Sequence, residues 1–219
     1  MKKVLGIFAH PDDEVLFGWP IFQSDEYEKH LIICCDDVAR KGQCRYNALQ
    51  EVCKQENIWL ESILAEDNNF YALPTRRAEY LLTDSILKIK SILESVIEEI
   101  KPDFIFTHNP VGEYGHGSHR LLFEIVSQHP LVENLLVTDI CEKSNHRSHD
   151  DIPSIVWDAY YEEAKRELPQ EMDEAFYMRC RSIYNKYNAW TWNKDPIPYC
   201  NLYHLKVNNG RRTIYNRTK

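Results

Sequence analysis

The chain has 219 residues, of which 43% are hydrophobic and 12% aromatic, so it can bury a sizeable core, and disorder over most of its length is excluded. Its 26 Lys and Arg residues against 34 Asp and Glu residues give a net charge of −8, which argues against nucleic acid or an anionic membrane surface as the main partner. No apolar run reaches the roughly 20 residues that span a bilayer, and the first residues do not follow the pattern of an export signal. The 7 cysteines include no Cys-x-x-Cys pair, which favours reduced thiols. We therefore expect a cytoplasmic protein.

Short apolar segments that predict buried strands alternate with segments that predict helices. The strands are expected at Val4 to Ala9, Leu31 to Cys35, Ile58 to Ala65, Phe104 to Phe106 and Leu135 to Thr138. The helices between them are expected at Arg45 to Glu56, Arg77 to Ile100 and Ser118 to Gln128. This alternation predicts an α/β fold with a Rossmann-like, mostly parallel sheet flanked by helices.

The pattern is weaker beyond Cys141. Ser144 to Pro153 is predicted to be a polar loop and Glu171 to Asn188 a helix. Leu202 to Tyr215 is predicted to form two strands around the turn Asn208-Asn209-Gly210. Because no repeat or linker-like composition interrupts the chain, residues 1–219 are predicted to form a single domain.

Two segments that follow predicted strands carry side chains that bind metals. Ala9-His10-Pro11-Asp12-Asp13-Glu14 follows the first strand, and residues 107–119, with His108, His116 and His119, follow the fourth. Alone, the first segment is compatible with a solvated acidic turn that caps a helix, and the second with a loop of scattered histidines. The carboxyl ends of parallel strands meet at one edge of a sheet, so the segments are expected to converge. A metal site is the better interpretation of the two segments together.

A catalytic zinc ion takes three protein ligands and leaves one position for water. His10, Asp13 and His119 would supply such a set. Asp12 would then remain as an unligated carboxylate near the water, where it can act as a general base. His116 would be available to stabilise a developing oxyanion.

These two segments resemble the hallmark motifs of the LmbE-like or PIG-L de-N-acetylases, an A-H-P-D-D-E segment after the first strand and a later G-H-x-x-H segment. Both are present, at Ala9 to Glu14 and Gly115 to His119, and the resemblance covers about residues 1–140. It implies the LmbE-like fold and a zinc-dependent hydrolase that removes an acyl group from an amide nitrogen, usually on an N-acetylglucosamine unit. The roles that it implies agree with those above: zinc binding by His10, Asp13 and His119, base catalysis by Asp12, and stabilisation of the tetrahedral intermediate by His116.

Two positions depart from the family pattern. Ser118 stands where the family often has an Asp that orients the catalytic histidine, and a hydroxyl supplies no negative charge to His116. Ala48 replaces the acid of an Arg-x-x-Glu pattern whose first position is Arg45. Arg45 is predicted to contact a substrate oxygen or phosphate, with a surface arginine as the alternative. Tyr114 matches a family tyrosine and is predicted to lend its hydroxyl to the oxyanion, with packing as the alternative.

Other polar and aromatic residues are not assigned to the chemical step. His108 is expected to pack near the site or to support its ligands, and Glu14 to orient the ligands or to pair with a cation. A solvated loop is favoured over a second metal site for His146, His149, Asp150 and Asp151. Packing is favoured over stacking on a sugar face for Trp190, Trp192 and Tyr199.

The sequence therefore predicts a zinc-dependent amide hydrolase, with another divalent metal such as Fe²⁺ as an alternative. Its expected substrate is the acetamide of an N-acetylated amino sugar or its conjugate, soluble or nucleotide-linked, with no nucleic-acid or membrane partner. A homo-oligomer is compatible with the sequence. The alternative function is a non-catalytic, metal-containing sugar-binding protein of the same fold, which Ser118 and Ala48 would favour. A phosphate-ester hydrolase fits the Asp and His ligands but lacks a second full set of metal ligands.

Overall fold

The computed structural model describes residues 1–34, 42–63, 76–110, 112–139, 165–166, 171–192, 195 and 202–206. Within these residues, seven strands form one sheet: β1 (Lys2–Phe8), β2 (Tyr27–Ile33), β3 (Ile58–Ile63), β4 (Phe104–Thr107), β5 (Asn134–Thr138), β6 (Lys165–Arg166) and β7 (Leu202–Lys206). Their order across the sheet is β3-β2-β1-β4-β5-β7-β6. Strands β1 to β5 are parallel, and β7 is antiparallel to both β5 and β6. The predicted Rossmann-like, mostly parallel sheet is confirmed.

Helices connect the strands and cover the sheet. They are α1 (Asp13–Leu16), α2 (Trp19–Phe22), α3 (Gly42–Gln55), α4 (Arg76–Ile100), α5 (Gly112–Gly115), α6 (Gly117–Ser127) and α7 (Glu174–Lys186). The four long helices lie where the sequence predicts them, within a few residues at each end. The short helices α1, α2 and α5 were not predicted, because a single turn is too short to show a helical period. Among the described helices, none combines the length and apolar content that crossing a bilayer requires.

Two apolar layers, one on each face of the sheet, form the core. In β1, Val4 and Phe8 belong to the layer that contains residues of α2, α3 and α7, whereas Leu5 and Ile7 belong to the layer that contains residues of α4 and α6. Since side chains alternate between the faces of a strand and both faces are covered, the central strands are apolar along their length. Helix α7 therefore lies on the same face as α3, and its Tyr184 is fully buried.

The second half of the chain differs in part from the prediction. Strand β7 pairs with β5 and β6, whereas the sequence predicted a hairpin partner following it. Residues 207–215, where that partner was expected, and the predicted polar loop Ser144 to Pro153 lie outside the described residues. Strand β6 was missed because two residues carry no recognisable strand pattern.

Candidate active site

The two polar segments meet at the carboxyl edge of the sheet. Strands β1 and β4 are hydrogen-bonded neighbours that run parallel, from Val4 opposite Phe104 to Ile7 opposite Thr107. The chain therefore leaves both strands at the same edge, with residues 9–14 following β1 and residues 108–119 following β4. The expected convergence of the two segments is confirmed.

The carboxylate of Asp13 is surrounded by imidazole nitrogens. Its Oδ2 accepts a hydrogen bond from the backbone N–H of His10 at 2.7 Å and lies 3.4 Å from Nδ1 of the same residue. The same oxygen lies 3.4 Å from Nε2 of His108 and 3.5 Å from Nε2 of His119. Burial opposes ionisation of Asp13, but the surrounding histidines, His119 first among them, hold its pKa well below the usual value. The cluster is thus built around an anionic oxygen.

Glu113 contacts two of these histidines through Nδ1, the ring nitrogen that does not face Asp13. This fully buried carboxylate has Oε2 at 2.6 Å from Nδ1 of His119 and 3.1 Å from Nδ1 of His108. Its Oε1 accepts bonds from the hydroxyl of Thr138 at 2.5 Å and the backbone N–H of Asn109 at 3.1 Å. Although burial opposes ionisation, the two imidazoles hold the pKa of Glu113 well below its usual value. A carboxylate that accepts from Nδ1 leaves Nε2 of His119 as the nitrogen available to a metal.

The two stacked imidazoles differ in what they can still bind. The rings of His108 and His119 are parallel, with centroids 3.7 Å apart. Nε2 of His108 accepts a hydrogen bond from the backbone N–H of Ala9 at 3.0 Å, and this bond occupies its lone pair. Burial lowers the pKa of His119 to about 4, so His119 is a neutral donor of the kind that metals require.

Among the residues that the structure describes, two overlapping groups of side chains have ligand atoms close enough to hold a metal ion. One comprises His10, His116 and His119, the other Asp13, His108 and His119, and within each group the ligand atoms lie within 4.8 Å of one another. The predicted set of His10, Asp13 and His119 takes members from both groups. The lone pair that His108 gives to Ala9 argues against His108 as a ligand.

Asp12 lies beside this cluster and is held separately. Its backbone adopts φ 101°, a conformation that is rare for a residue other than glycine and costs energy. The backbone N–H of Asp12 donates to Oε2 of Glu14 at 2.9 Å, and Oε1 of Glu14 accepts from the hydroxyl of Tyr184 in α7 at 2.7 Å. These bonds hold the backbone of the turn from which the Asp12 side chain extends.

The carboxylate of Asp12 is buried between two donors. Its Oδ1 lies 2.7 Å from Nη2 of Arg45, and its Oδ2 accepts from Nε1 of Trp192 at 3.2 Å. Burial raises the pKa of Asp12 to about 6, with Arg45 opposing the rise and Asp13 adding to it. A carboxyl group with this pKa is ionised near pH 7 and is matched to the task of a general base.

His116 lies at the partly open side of the cluster. It is half-buried at the N-terminus of α6, with its ring centroid 4.3 Å from that of His119 and 5.0 Å from that of His10. Burial and the neighbouring imidazoles lower the pKa of His116, so the ring is neutral and keeps one N–H to donate.

The other residues singled out in the sequence lie in several different environments. Arg45 is only 5% exposed, and its guanidinium donates to the backbone carbonyl of Pro11 as well as to Asp12, so a contact with substrate stays a prediction. Tyr114 lies in α5, and its side chain is outside the described part of the chain. Ala48 is fully buried in the core, and Ser118 is buried in the first turn of α6. Residues 146–151 and 199 lie outside the described residues.

Sequence reasoning missed three contributions to the site. It assigned no role to Glu113 or to Tyr184, and it treated Trp192 as a packing residue. Glu113 alone had a visible signal, because a carboxylate lay within the histidine-rich segment, six positions before His119.

Comparison with known proteins points to one family. Residues 5–129 match the family model described as PIG-L: GlcNAc-PI de-N-acetylase. A Dictyostelium discoideum protein named "Probable N-acetylglucosaminyl-phosphatidylinositol de-N-acetylase" is 28% identical over 127 residues, which are 54% of this chain and 45% of that protein. "Uncharacterized protein L374" of Acanthamoeba polyphaga mimivirus is 25% identical over 126 residues, which are 56% of this chain and 55% of that protein. The chain thus spans about half the length of these curated relatives.

Solved structures of two deacetylases share the fold. The zinc-inhibited form of teicoplanin deacetylase Orf2 matches with a TM-score of 0.60 at 10% identity, over 93% of this chain and 97% of that one. The N,N'-diacetylchitobiose deacetylase of Pyrococcus horikoshii matches with a TM-score of 0.56 at 14% identity, over 88% of this chain and 72% of that one. At this level of identity, the likeness establishes a common architecture.

Proposed function

Since the chain belongs to the PIG-L family, whose model matches more than half of its length, we propose that it is a metal-dependent N-deacetylase. Its substrate would be the acetamide of an N-acetylated amino sugar or of its conjugate. The observation that carries the proposal is the pair of adjacent carboxylates with different surroundings. Asp13 lies among imidazole nitrogens, whereas Asp12 lies apart between Arg45 and Trp192.

The donor set fits a divalent metal. Two imidazoles, of His10 and His119, and the carboxylate of Asp13 form the His₂-carboxylate set that zinc hydrolases use, and the same set suits Fe²⁺. The hydrogen bond that Nδ1 of His119 donates to Glu113 directs Nε2 toward the Asp13 carboxylate, which supports His119 as a ligand. We propose zinc held by His10, Asp13 and His119. A bound zinc ion would lower the pKa of water and polarise the acetamide carbonyl.

Asp12 is proposed to move the proton in the reaction. Its carboxylate would take a proton from water as the water oxygen bonds to the acetamide carbon. It would then give that proton to the nitrogen as the carbon–nitrogen bond breaks, so that a free amine and acetic acid leave, and the acid ionises to acetate in water. The pKa of about 6 suits both directions of transfer, because the group is ionised near pH 7 and is still protonated more readily than an ordinary carboxylate.

His116 is proposed to stabilise the carbonyl oxygen as it gains charge. Its neutral imidazole would donate a single N–H to that oxygen, and such a donor in a water-poor site is worth about 10²–10³ in turnover. Ser118, two positions after His116, has a hydroxyl where the family often has a carboxylate.

We propose that the residues after 129, where the family match ends, form one domain with the residues before it. Strand β7 extends the sheet next to β5, and α7 supplies Tyr184 to the site. Both elements follow residue 129, where the family match ends. These contacts support the prediction of a single domain over residues 1–219.

Acetate and amine release from a panel of N-acetyl sugars tests the function. The zinc-loaded protein would be offered free, nucleotide-linked and lipid-linked members. A deacetylase would be supported if the protein turns over any member of the panel and Asp12→Asn loses that turnover. Binding without turnover would support the sugar-binding alternative. The panel also tests the predicted substrate, because turnover confined to the lipid-linked member would contradict a soluble or nucleotide-linked sugar.

A further inference from the structure

The segment that follows α7 reaches Asp12 from a part of the chain that the family model does not match. We propose that the indole N–H of Trp192 is a positioning group, which orients the Asp12 carboxylate for proton transfer. The inference rests on the proposed role of Asp12 as the base, and it assigns to Trp192 a role beyond packing.

Two donors are needed to fix the plane of this carboxylate. The backbone of Asp12 is held by its bond to Glu14, but the side chain can still rotate about its Cβ–Cγ bond. Arg45 holds Oδ1 at 2.7 Å, which restrains one oxygen. The N–H of Trp192 holds Oδ2 at 3.2 Å and thereby restrains the second. With both oxygens held, the carboxylate presents its lone pairs in one orientation.

The structure anchors the segment that delivers Trp192. Asn188 takes a left-handed conformation with φ 53°, and the N–H of Ala189 donates to the carbonyl of Tyr184 at 2.8 Å, which turns the chain back along α7. Farther on, Asp195 accepts from the hydroxyl of Tyr177 in α7 at 2.5 Å and from Nε1 of Trp190 at 3.0 Å. The segment is therefore fixed to α7 on both sides of Trp192.

Trp190 and Trp192 provide a matched comparison within this segment. The ring of Trp190 packs against Tyr184 at 5.7 Å, and its N–H is directed to Asp195. The N–H of Trp192 is directed to Asp12, 180 positions earlier in the chain. Removal of the ring N–H at position 192 therefore removes a bond to the base itself. At position 190 it removes a bond within the segment, while Asp195 keeps its bond to Tyr177 in α7.

The test compares Trp192→Phe with Trp190→Phe in the zinc-loaded protein. A bond to a carboxylate is lost at position 192, so kcat should fall about tenfold or more, while KM stays within about twofold. Zinc content and thermal midpoint should not change. Trp190→Phe should keep kcat within about twofold. Replacing Trp192 with 3-benzothienylalanine, in which sulfur takes the place of the N–H, keeps the ring shape and should reproduce the loss in kcat.

Each outcome distinguishes the inference from the function on which it rests. If the Phe variant and the benzothienyl variant at position 192 both retain kcat, the positioning role is overturned. A rise in KM without a fall in kcat would likewise overturn it, in favour of a substrate contact. If Asp12→Asn retains full turnover, the role of Asp12 on which the inference rests fails. If the unaltered zinc-loaded protein releases no acetate from any N-acetyl sugar, the proposed function itself fails, whatever the variants at position 192 do.

Discussion

Replacing Glu113 with Gln removes a buried charge behind two imidazoles while keeping the size of the side chain. The amide oxygen of Gln can retain the bonds that Thr138 and Asn109 give to Oε1. Its NH₂ group would then face Nδ1 of His119 and of His108, where the carboxylate accepts hydrogen bonds at 2.6 Å and 3.1 Å. Because a donor cannot accept these N–H groups, the substitution acts on the imidazoles and spares the rest of the site.

The expected effect is a loss of zinc affinity of about 10- to 100-fold, the usual cost of losing a partner that orients a metal ligand. A hydrogen bond to a charged group is worth about 1.5–3 kcal/mol, which corresponds to a similar factor. The affinity of the metal-free protein for zinc would be measured by competition with a fluorescent chelator. Glu124→Gln is the matched control, since Glu124 lies in α6 and its carboxylate accepts from Gln128. Equal affinity of Glu113→Gln and the unaltered protein, within about twofold, would refute the argument.

Three further predictions follow from the site geometry. His10→Ala, Asp13→Ala and His119→Ala should each lose most bound zinc by elemental analysis, because two remaining ligands hold the ion poorly; full zinc content in all three would exclude the proposed set. Turnover should decline as the pH falls through about 6, since the Asp12 carboxylate must be ionised to accept a proton, and a pH–rate profile of kcat that is flat from pH 5 to 8 would count against it as the base. Arg45→Ala should lower kcat more than it raises KM, because the guanidinium holds Oδ1 of Asp12; the opposite order would favour the substrate contact predicted from sequence.

The fold could be predicted from the sequence because apolar runs and helical periods are local properties. The strands β1 to β5 and the helices α3, α4, α6 and α7 lie near their predicted positions. Since β1 and β4 are parallel neighbours, the strand assignment alone was enough to predict that His10 and His119 lie close together. Strand β6 and the short helices carry no periodic signal, so they could not be found.

The support of the site could not be predicted in the same way. Tyr184 and Trp192 reach Glu14 and Asp12 across 170 and 180 positions, and no local pattern shows which side chains meet at such a distance. Arg45 was expected on the surface or at the substrate, because a sequence pattern does not show that its guanidinium is buried against Asp12. The chemistry-bearing residues are thus recognisable by type, whereas their orienting partners depend on tertiary packing.

The measurement that tests the central claim most directly is single-turnover hydrolysis of an N-acetyl sugar by zinc-loaded Asp12→Asn. This amide has nearly the same shape as the carboxylate but cannot take a proton from water. The account predicts a zinc content equal to that of the unaltered protein and a rate of acetate release lower by about 10²–10⁴. Full activity would contradict base catalysis by Asp12, and loss of zinc would show that Asp12 is a ligand and that the base lies elsewhere.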